Sequence, residues 1–550
     1  MSVGDARYGR RDLLRGGGLV LAGAASAALV GCSGASTKGA RSSSGTSSSG
    51  TSSSGTSSSG TTSTTAVLDT AAWATLASSL SGRLVLPSSP SYATARLLYD
   101  PRFDNLAPAA VAYCATPAEV QRCMGFARSH GVRPIPRCGG HSFAGYSSGP
   151  GLIIDVTPMN TVTVARAAGA EQSQAVVGAG TLLVDLYNQL SQSGVLVAGG
   201  SCPTVGISGL ALGGGVGVVG RKYGLTCDAI ESVQIVTADG RILSCDASTN
   251  ADLYWACRGG GGGNFGIVTS FTFRTSPIPP LALFTLDWPS SAAADVLGTW
   301  FAWQHAGPDE LWSNCQLLSG GNGALEVRTA GMFVGSTTAL GSLVDTLVAA
   351  VGAQPSYRFV GPEQYLHAML VEAGCESLDV AQCHLTTHLP AGTLDRAGSV
   401  ASSGYVSALP SSTGTAAFVG TVNDLIQTLP HLGGGVVFDA LGGAINAVKP
   451  TDTAFVHRNA IAGIQASVAT GASASLAQQG RSWLSHFATS VATYVDGQAY
   501  QNYIDPTLVD WQQAYYGSNL GRLVSVKAAY DPDDVFHFAQ SIPTRLATGR

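Results

Sequence analysis

The stretch Arg137-Cys138-Gly139-Gly140-His141-Ser142, answered further along by Gly199-Gly200-Ser201-Cys202-Pro203-Thr204-Val205-Gly206, decides how this chain is read. Each is a glycine-rich loop carrying one nucleophilic side chain, His141 in the first and Cys202 in the second. The segments before them share a grammar. Ala110 to Cys114 reads as a strand, and Thr116-Pro117-Ala118-Glu119 is a capping box with proline at the first helical position. Val120, Cys123, Met124 and Ala127 follow at helical spacing, Gly131 stops the helix, and Arg133 to Pro136 is the next strand. The second loop is reached the same way. Ala175 to Val177 is a strand, Thr181 opens a helix with Leu183, Leu186, Tyr187 and Leu190 on one face, Gly194 ends it, and Val195 to Val197 is a strand. Two similar strand–helix–strand units therefore each aim a reactive side chain from a strand end, where α/β folds place ligands. Two such loops suit something large and flat, gripped from two sides.

Further glycines extend the picture. The run from Gly209 to Gly220 contains a literal G-x-G-x-x-G between Gly215 and Gly220. A dinucleotide fold of the Rossmann type does not follow, because Tyr223-Gly224 interrupts any long helix and Asp239-Gly240 looks like a hairpin turn. The better reading is bare backbone lying against a flat ligand and donating N–H groups to its phosphates. Another run, Arg258 to Gly266, precedes a strand from Ile267 to Phe273.

Taken together, these residues resemble the berberine-bridge-enzyme-like family of FAD-linked oxidases, within the wider vanillyl-alcohol-oxidase (PCMH-type) fold. The likeness rests on the His141 loop, on Cys202-Pro203-Thr204-Val205-Gly206 with its glycine run, and on Asp252-Leu253-Tyr254-Trp255 with Arg258-Gly259-Gly260-Gly261. Near the end, Asn502-Tyr503-Ile504-Asp505, Tyr515-Tyr516-Gly517, Leu523 to Lys527 and Tyr530-Asp531-Pro532 complete it. The resemblance implies an α+β chain: a PCMH-type FAD-binding domain of two α+β subdomains over 104–277, and a substrate domain over 278–491 whose antiparallel sheet covers the flavin. A berberine-bridge-like segment over 492–550 would return to the FAD domain. Apolar stretches such as Leu281–Leu286 and Val436–Phe438 suit that sheet.

Carried over by position, the resemblance implies FAD bound covalently, with His141 on its 8α-methyl carbon and Cys202 on C6, a bicovalent flavin. The implied cofactor-binding set is Arg137, Cys138, Gly139, Gly140, His141, Ser142, Gly200, Cys202, Thr204, Val205, Gly206, Gly209, Gly213, Gly214, Gly215, Gly220, Ile267, Tyr500 and Asn502. Valine at 205 goes with oxygen access. Alcohol oxidation by a flavin needs a hydride acceptor and a base for the hydroxyl proton. Tyr503 matches the family tyrosine given that role, with Tyr500 as the alternative; a free phenol of pKa about 10 serves only where hydrogen bonds hold its anion. Asp505 would orient backbone, and His457 would be structural. Trp303, Trp312, Tyr365 and His367 either line a pocket or fill a core. The expected reaction is oxidation of an alcohol, a carbohydrate hydroxyl, with O2 giving H2O2. The alternatives are oxidative tailoring of a secondary metabolite and a surface flavoprotein that binds without turnover.

Composition narrows the partners. Charged residues are 11% of the chain and the formal net charge is −5, which excludes the basic footprint of a nucleic-acid binder. No Cys/His cluster has metal-ligand spacing. Residues 1–32 read as an address: Arg10-Arg11 is a twin-arginine pair followed by an apolar run, so the twin-arginine export machinery is an expected partner. Leu29-Val30-Gly31-Cys32 resembles a lipobox, in which lipidation of Cys32 would anchor the protein at the outer face of the cytoplasmic membrane; otherwise it is secreted. Residues 33–67 are a tether, in which Ser-Ser-Ser-Gly-Thr repeats four times. Of 11 cysteines, nine remain after Cys32 and Cys202, and Cys375 with Cys383 is a candidate disulfide.

Overall fold

The computed structural model of the chain describes residues 70–165 and 173–546. The export segment, Cys32 and the tether lie outside the described residues.

The first expected unit forms as read. Thr116 caps the helix Pro117–His130 by accepting from the Glu119 amide, and Gly131 ends it in the left-handed conformation at φ 63°. The Glu119 carboxylate reaches one residue further back than a capping box requires. It accepts from the Ala115 amide at 2.6 Å and from the Ser81 amide at 2.6 Å, so it also fastens the preceding loop. The strands Ala110–Tyr113 and Pro134–Arg137 do not touch each other. Leu152–Asp155 lies between them, parallel to both, and Leu84–Val85 adds an antiparallel edge. Leu152, Ile153 and Ile154 are fully buried, as a strand covered on both faces demands.

The second unit is built differently, against expectation. Gln174–Gly178 is a strand and Leu183–Gln192 a helix, but Val195–Leu196 does not rejoin the sheet; it pairs with Ser276–Pro277 alone. Both edges of Gln174–Gly178 are already filled, by Val162–Ala165 and by Ile267–Arg274, inside a five-stranded antiparallel sheet. Thr181 is not the cap either. Its hydroxyl donates to the Gly178 carbonyl, and the helix amides Leu183 and Val184 donate to the carbonyls of Val205 and Pro203. The Cys202 loop itself satisfies the helix terminus. The hairpin at Asp239-Gly240 forms as expected, between Ile230–Val236 and Ile242–Asp246, and only a short helix, Gly220–Tyr223, follows the glycine run.

Residues 281–469 supply a seven-stranded antiparallel sheet, in the order Tyr357–Glu363, Leu281–Trp288, Leu325–Val334, Leu311–Gly320, Gly433–Ala440, Ala462–Ala469, Ser399–Val406. One face packs on the helices Ala293–Ala306, Thr337–Val351, Ser412–Thr428 and Ala474–Val491. There Trp300, Phe301, Phe418 and Phe438 form an edge-to-face ring cluster. Because side chains alternate along each strand, the residues between them face the other way. Cys375 and Cys383 form the expected disulfide.

The last segment returns to the glycine loops. Lys527, fully buried, donates to the carbonyls of Asn264 and Phe536 and pairs with Asp531 at 2.6 Å. The Asn264 side chain in turn accepts from the Ile542 amide.

Candidate active site

The two glycine loops lock together through their backbones. A Cβ on Gly139 would sit 2.5 Å from the Gly206 nitrogen, and one on Gly206 would sit 2.1 Å from Cys138 Sγ. Only glycine permits that approach. Arg137 anchors the first loop by pairing with Asp155 on the neighbouring strand at 2.6 Å, both side chains buried, and by donating to the Ala95 carbonyl. Tyr187 anchors the second by donating to the Gly200 carbonyl at 2.6 Å.

Between these loops and the seven-stranded sheet runs a cavity of about 710 Å³, within the roughly 300–1,000 Å³ of small-molecule sites. Arg137 through Ser142, Gly200, Cys202, Val205, Gly206, Gly209, Ile267, Tyr500, Asn502 and Tyr503 all line it. So do Gly261, Gly262 and Gly263, which the second glycine run contributes. Arg137 and Cys138 are mainly scaffold, since Cys138 Sγ lies 3.2 Å from the Ala179 carbonyl.

Gly213, Gly214, Gly215 and Gly220 are a correction: they lie off the cavity wall. A Cβ on Gly213 would strike Asn502 at 1.9 Å, on Gly214 the Phe455 ring at 2.8 Å, and on Gly215 Thr226 at 2.2 Å; Gly220 abuts Ile445 at 3.2 Å. These glycines allow chain segments to pack closely. Thr204 is also off the wall, yet it holds His141, with Oγ1 2.8 Å from Nε2. His141 stacks on Tyr99 at 4.0 Å, and burial lowers its pKa to about 3, which keeps the imidazole neutral. Thr204 occupies one ring nitrogen and leaves Nδ1 as the other. Cys202 lines the same cavity.

The two tyrosines divide unexpectedly. Tyr500 Oη accepts from the Gly215 amide at 2.9 Å, the Val216 amide at 3.4 Å and Asn502 Nδ2 at 2.8 Å. Tyr503 packs edge-on against Tyr500 and Phe143. Burial, reinforced by the Asp439 carboxylate, pushes the Tyr503 phenol well above the usual tyrosine value. The hydrogen bonds expected to favour a phenolate are thus on Tyr500, not Tyr503.

The opposite wall is the open face of the seven-stranded sheet, presenting Thr285, Asp287, Trp312, Asn314, Gln316, Arg328, Asp439 and Gln465. Asp287 and Arg328 are paired across neighbouring strands at 2.5 Å. Trp312 Nε1 and Gln316 Oε1 are buried with no protein partner among the described residues. Glu372 joins the lining from the helix Tyr365–Glu372. Burial raises both Asp439 and Glu372 to about 7. Sequence reading missed these polar residues except Trp312, because they come one or two at a time from separate strands. The weak signal was alternation, as in Leu-Trp-Ser-Asn-Cys-Gln at 311–316. Of the aromatic candidates, Trp303 packs on Phe284 on the helical face, Tyr365 meets Tyr187 in the core, and His367 pairs with Glu363 at the surface. His457, stacked on Tyr405 and contacting Gln498 and the Tyr515 carbonyl, is structural, and Asp505 caps its own turn at Thr507.

Residues 108–246 match the family model of the FAD binding domain, and 499–543 match that of berberine and berberine-like proteins. An uncharacterized FAD-linked oxidoreductase of Bacillus subtilis, YgaK, is 31% identical over 85% of this chain and 98% of its own length. The chain belongs to the berberine-bridge-enzyme-like family of FAD-linked oxidoreductases. The solved structure of Physcomitrella patens BBE-like 1 is 33% identical, with a TM-score of 0.77 over 86% of this chain and 99% of that one. A chitooligosaccharide oxidase structure aligns at 25% identity and TM-score 0.76, over 86% of this chain and 100% of that one.

FAD is therefore the enzyme's cofactor, and the cavity fits it. Gly209 meets nothing within 4 Å, leaving open backbone on the wall. Arg133 Nε, Ser147 Oγ, Gln501 Oε1 and Gln540 Oε1, all on lining residues, are buried without protein partners among the described residues. Such unmet capacity suits a ligand carrying phosphates, hydroxyls and ring carbonyls.

Proposed function

We propose that this enzyme is an oxidase acting on a carbohydrate hydroxyl, the anomeric one, with FAD held through His141. The observation that carries this is the sheet wall. Its carboxylates, amides, guanidinium and indole N–H alternate as acceptors and donors over a broad floor facing Tyr503, and a polyhydroxylated substrate satisfies such a surface. Relatives named chitooligosaccharide oxidase and xylooligosaccharide oxidase, 28% and 27% identical, support it. Bound FAD would supply the hydride acceptor, with O2 taking the electrons on as H2O2. Val205 on the cavity wall supports access for O2.

The chain's own part is the proton. Tyr503 is too weakly acidic in this setting to stand as phenolate, so it works as a relay: its oxygen takes the substrate hydroxyl proton while its own proton passes to Asp439. A carboxyl poised near 7 is suited to that exchange. Neutral His141 offers Nδ1 for a covalent bond to the flavin, and the Cys202 sulfur offers a second. Export by the twin-arginine route, with Cys32 lipidated, belongs to the same proposal; the Cys375–Cys383 disulfide supports an oxidising compartment. Peroxide release measured across oligosaccharides, polyphenolic alcohols and polyketide alcohols tests the reading. Turnover confined to sugars is expected, and turnover confined to the others would overturn it.

A further inference from the structure

Two large aromatic side chains stand exposed on the outermost strand of the sheet, Tyr357 at 48% and Phe359 at 41% of full exposure. Their register places them. Tyr357 pairs with Asp287 and Phe359 with Thr285, and both partners line the cavity floor. Directly paired residues of an antiparallel ladder share a face, so the two rings continue that floor to its edge. Arg358 between them goes to the other face, where it pairs with Asp345 on the helix Thr337–Val351. Tyr357 itself lines the cavity, as does exposed Val371. A seat for the Phe359 ring is built in. A Cβ on Gly361 would lie 2.7 Å from Phe359 Cζ, so the ring lies along the strand over a residue without a side chain.

We propose that Tyr357 and Phe359 form an outer platform on which the non-reacting units of an oligosaccharide stack, while the terminal unit reaches Tyr503. This rests on the carbohydrate reading above. Sugar rings present an apolar C–H face that packs on aromatic surface, and exposed apolar patches continuous with a cavity mark ligand grooves. The reacting unit gains nothing from the platform; each added unit does. The natural substrate is then a chain of several units, not a free monosaccharide.

The test is a homologous series from monomer to tetramer of whichever sugar the holoenzyme oxidises, with Tyr357→Ala, Phe359→Ala and the double variant at unchanged flavin content. In the parent KM falls with length. In the double variant KM for the tetramer rises roughly tenfold with kcat unchanged, and the monomer is unaffected. Equal losses on monomer and tetramer, or none on either, overturn the platform. So does a change in oligomeric state on removing the rings, which would make the edge a protein interface. If no sugar is turned over, the carbohydrate reading fails by itself. Equilibrium binding of the same tetrasaccharides then decides the platform: weakened binding in the double variant supports it, and equal or absent binding overturns it.

Discussion

One cavity has two walls of opposite construction. The wall nearer the amino terminus is backbone: Gly139, Gly140, Gly206, Gly209 and Gly261 to Gly263, with side chains largely spent on scaffolding. The facing wall is side chain throughout, with Asp287, Asn314, Gln316, Arg328, Asp439 and Gln465 projecting from a rigid sheet. A flat cofactor shared across a family is held by close, bare backbone. A variable substrate is met by side chains that can change without disturbing the strands beneath them. The wall that binds FAD should therefore fail by losing its ligand or its fold, and the sheet wall, with the Tyr503 that it faces, by losing turnover.

The largest effect belongs to Tyr503→Phe, which removes the relay oxygen and should lower kcat by ~10²–10⁴ with flavin retained; steady-state peroxide assays check it. On the glycine wall, Arg137→Met strands a buried Asp155 and should cost ~3–5 kcal/mol of unfolding free energy, read by denaturant melts. Asp439→Asn should lower kcat by roughly 10–100-fold. The parent's kcat/KM should rise with pH through about 7 as this carboxyl ionises, and the variant should lose that rise. The same group sets a stability trend. Asp439 and Glu372 have folded values near 7, above the 3.8 and 4.5 of free carboxyls. The stability tied to their neutral forms is thus complete below pH 3.8 and is lost as pH rises through 7. Thermal melts of the Asp439→Asn, Glu372→Gln variant should be flatter across that window. The smallest effect is Tyr187→Phe, which removes one neutral hydrogen bond to the Cys202 loop and should cost ~1 kcal/mol.

The two walls also differ in how far the sequence discloses them. The glycine wall was readable because its residues come in runs, so His141, Cys202, Gly206 and Gly209 could be placed together from the chain alone. The same runs misled at Gly213 to Gly215 and Gly220, where missing side chains serve packing against Asn502, Phe455, Thr226 and Ile445. Sequence cannot tell a glycine that admits a ligand from one that admits a neighbouring segment. The second unit misled for a related reason. Helical periodicity gave Leu183–Gln192 correctly, but pairing depends on which edges are free, and those of Gln174–Gly178 were taken by distant strands. Strands such as Leu281–Trp288 were readable as sheet, whereas the substrate wall depends on the register between them. Asp287 meets Arg328 across 41 residues of chain.

The sharpest test of the two-wall account is flavin content measured side by side on Gly206→Ala and Tyr503→Phe holoenzyme, by absorbance of the acid-precipitated polypeptide. Gly206→Ala forces a Cβ to 2.1 Å from Cys138 Sγ and should come out largely without flavin. Tyr503→Phe should carry the parental amount while failing to turn over sugar. A Gly206→Ala enzyme with full flavin, or a Tyr503→Phe enzyme that has lost it, would contradict the account.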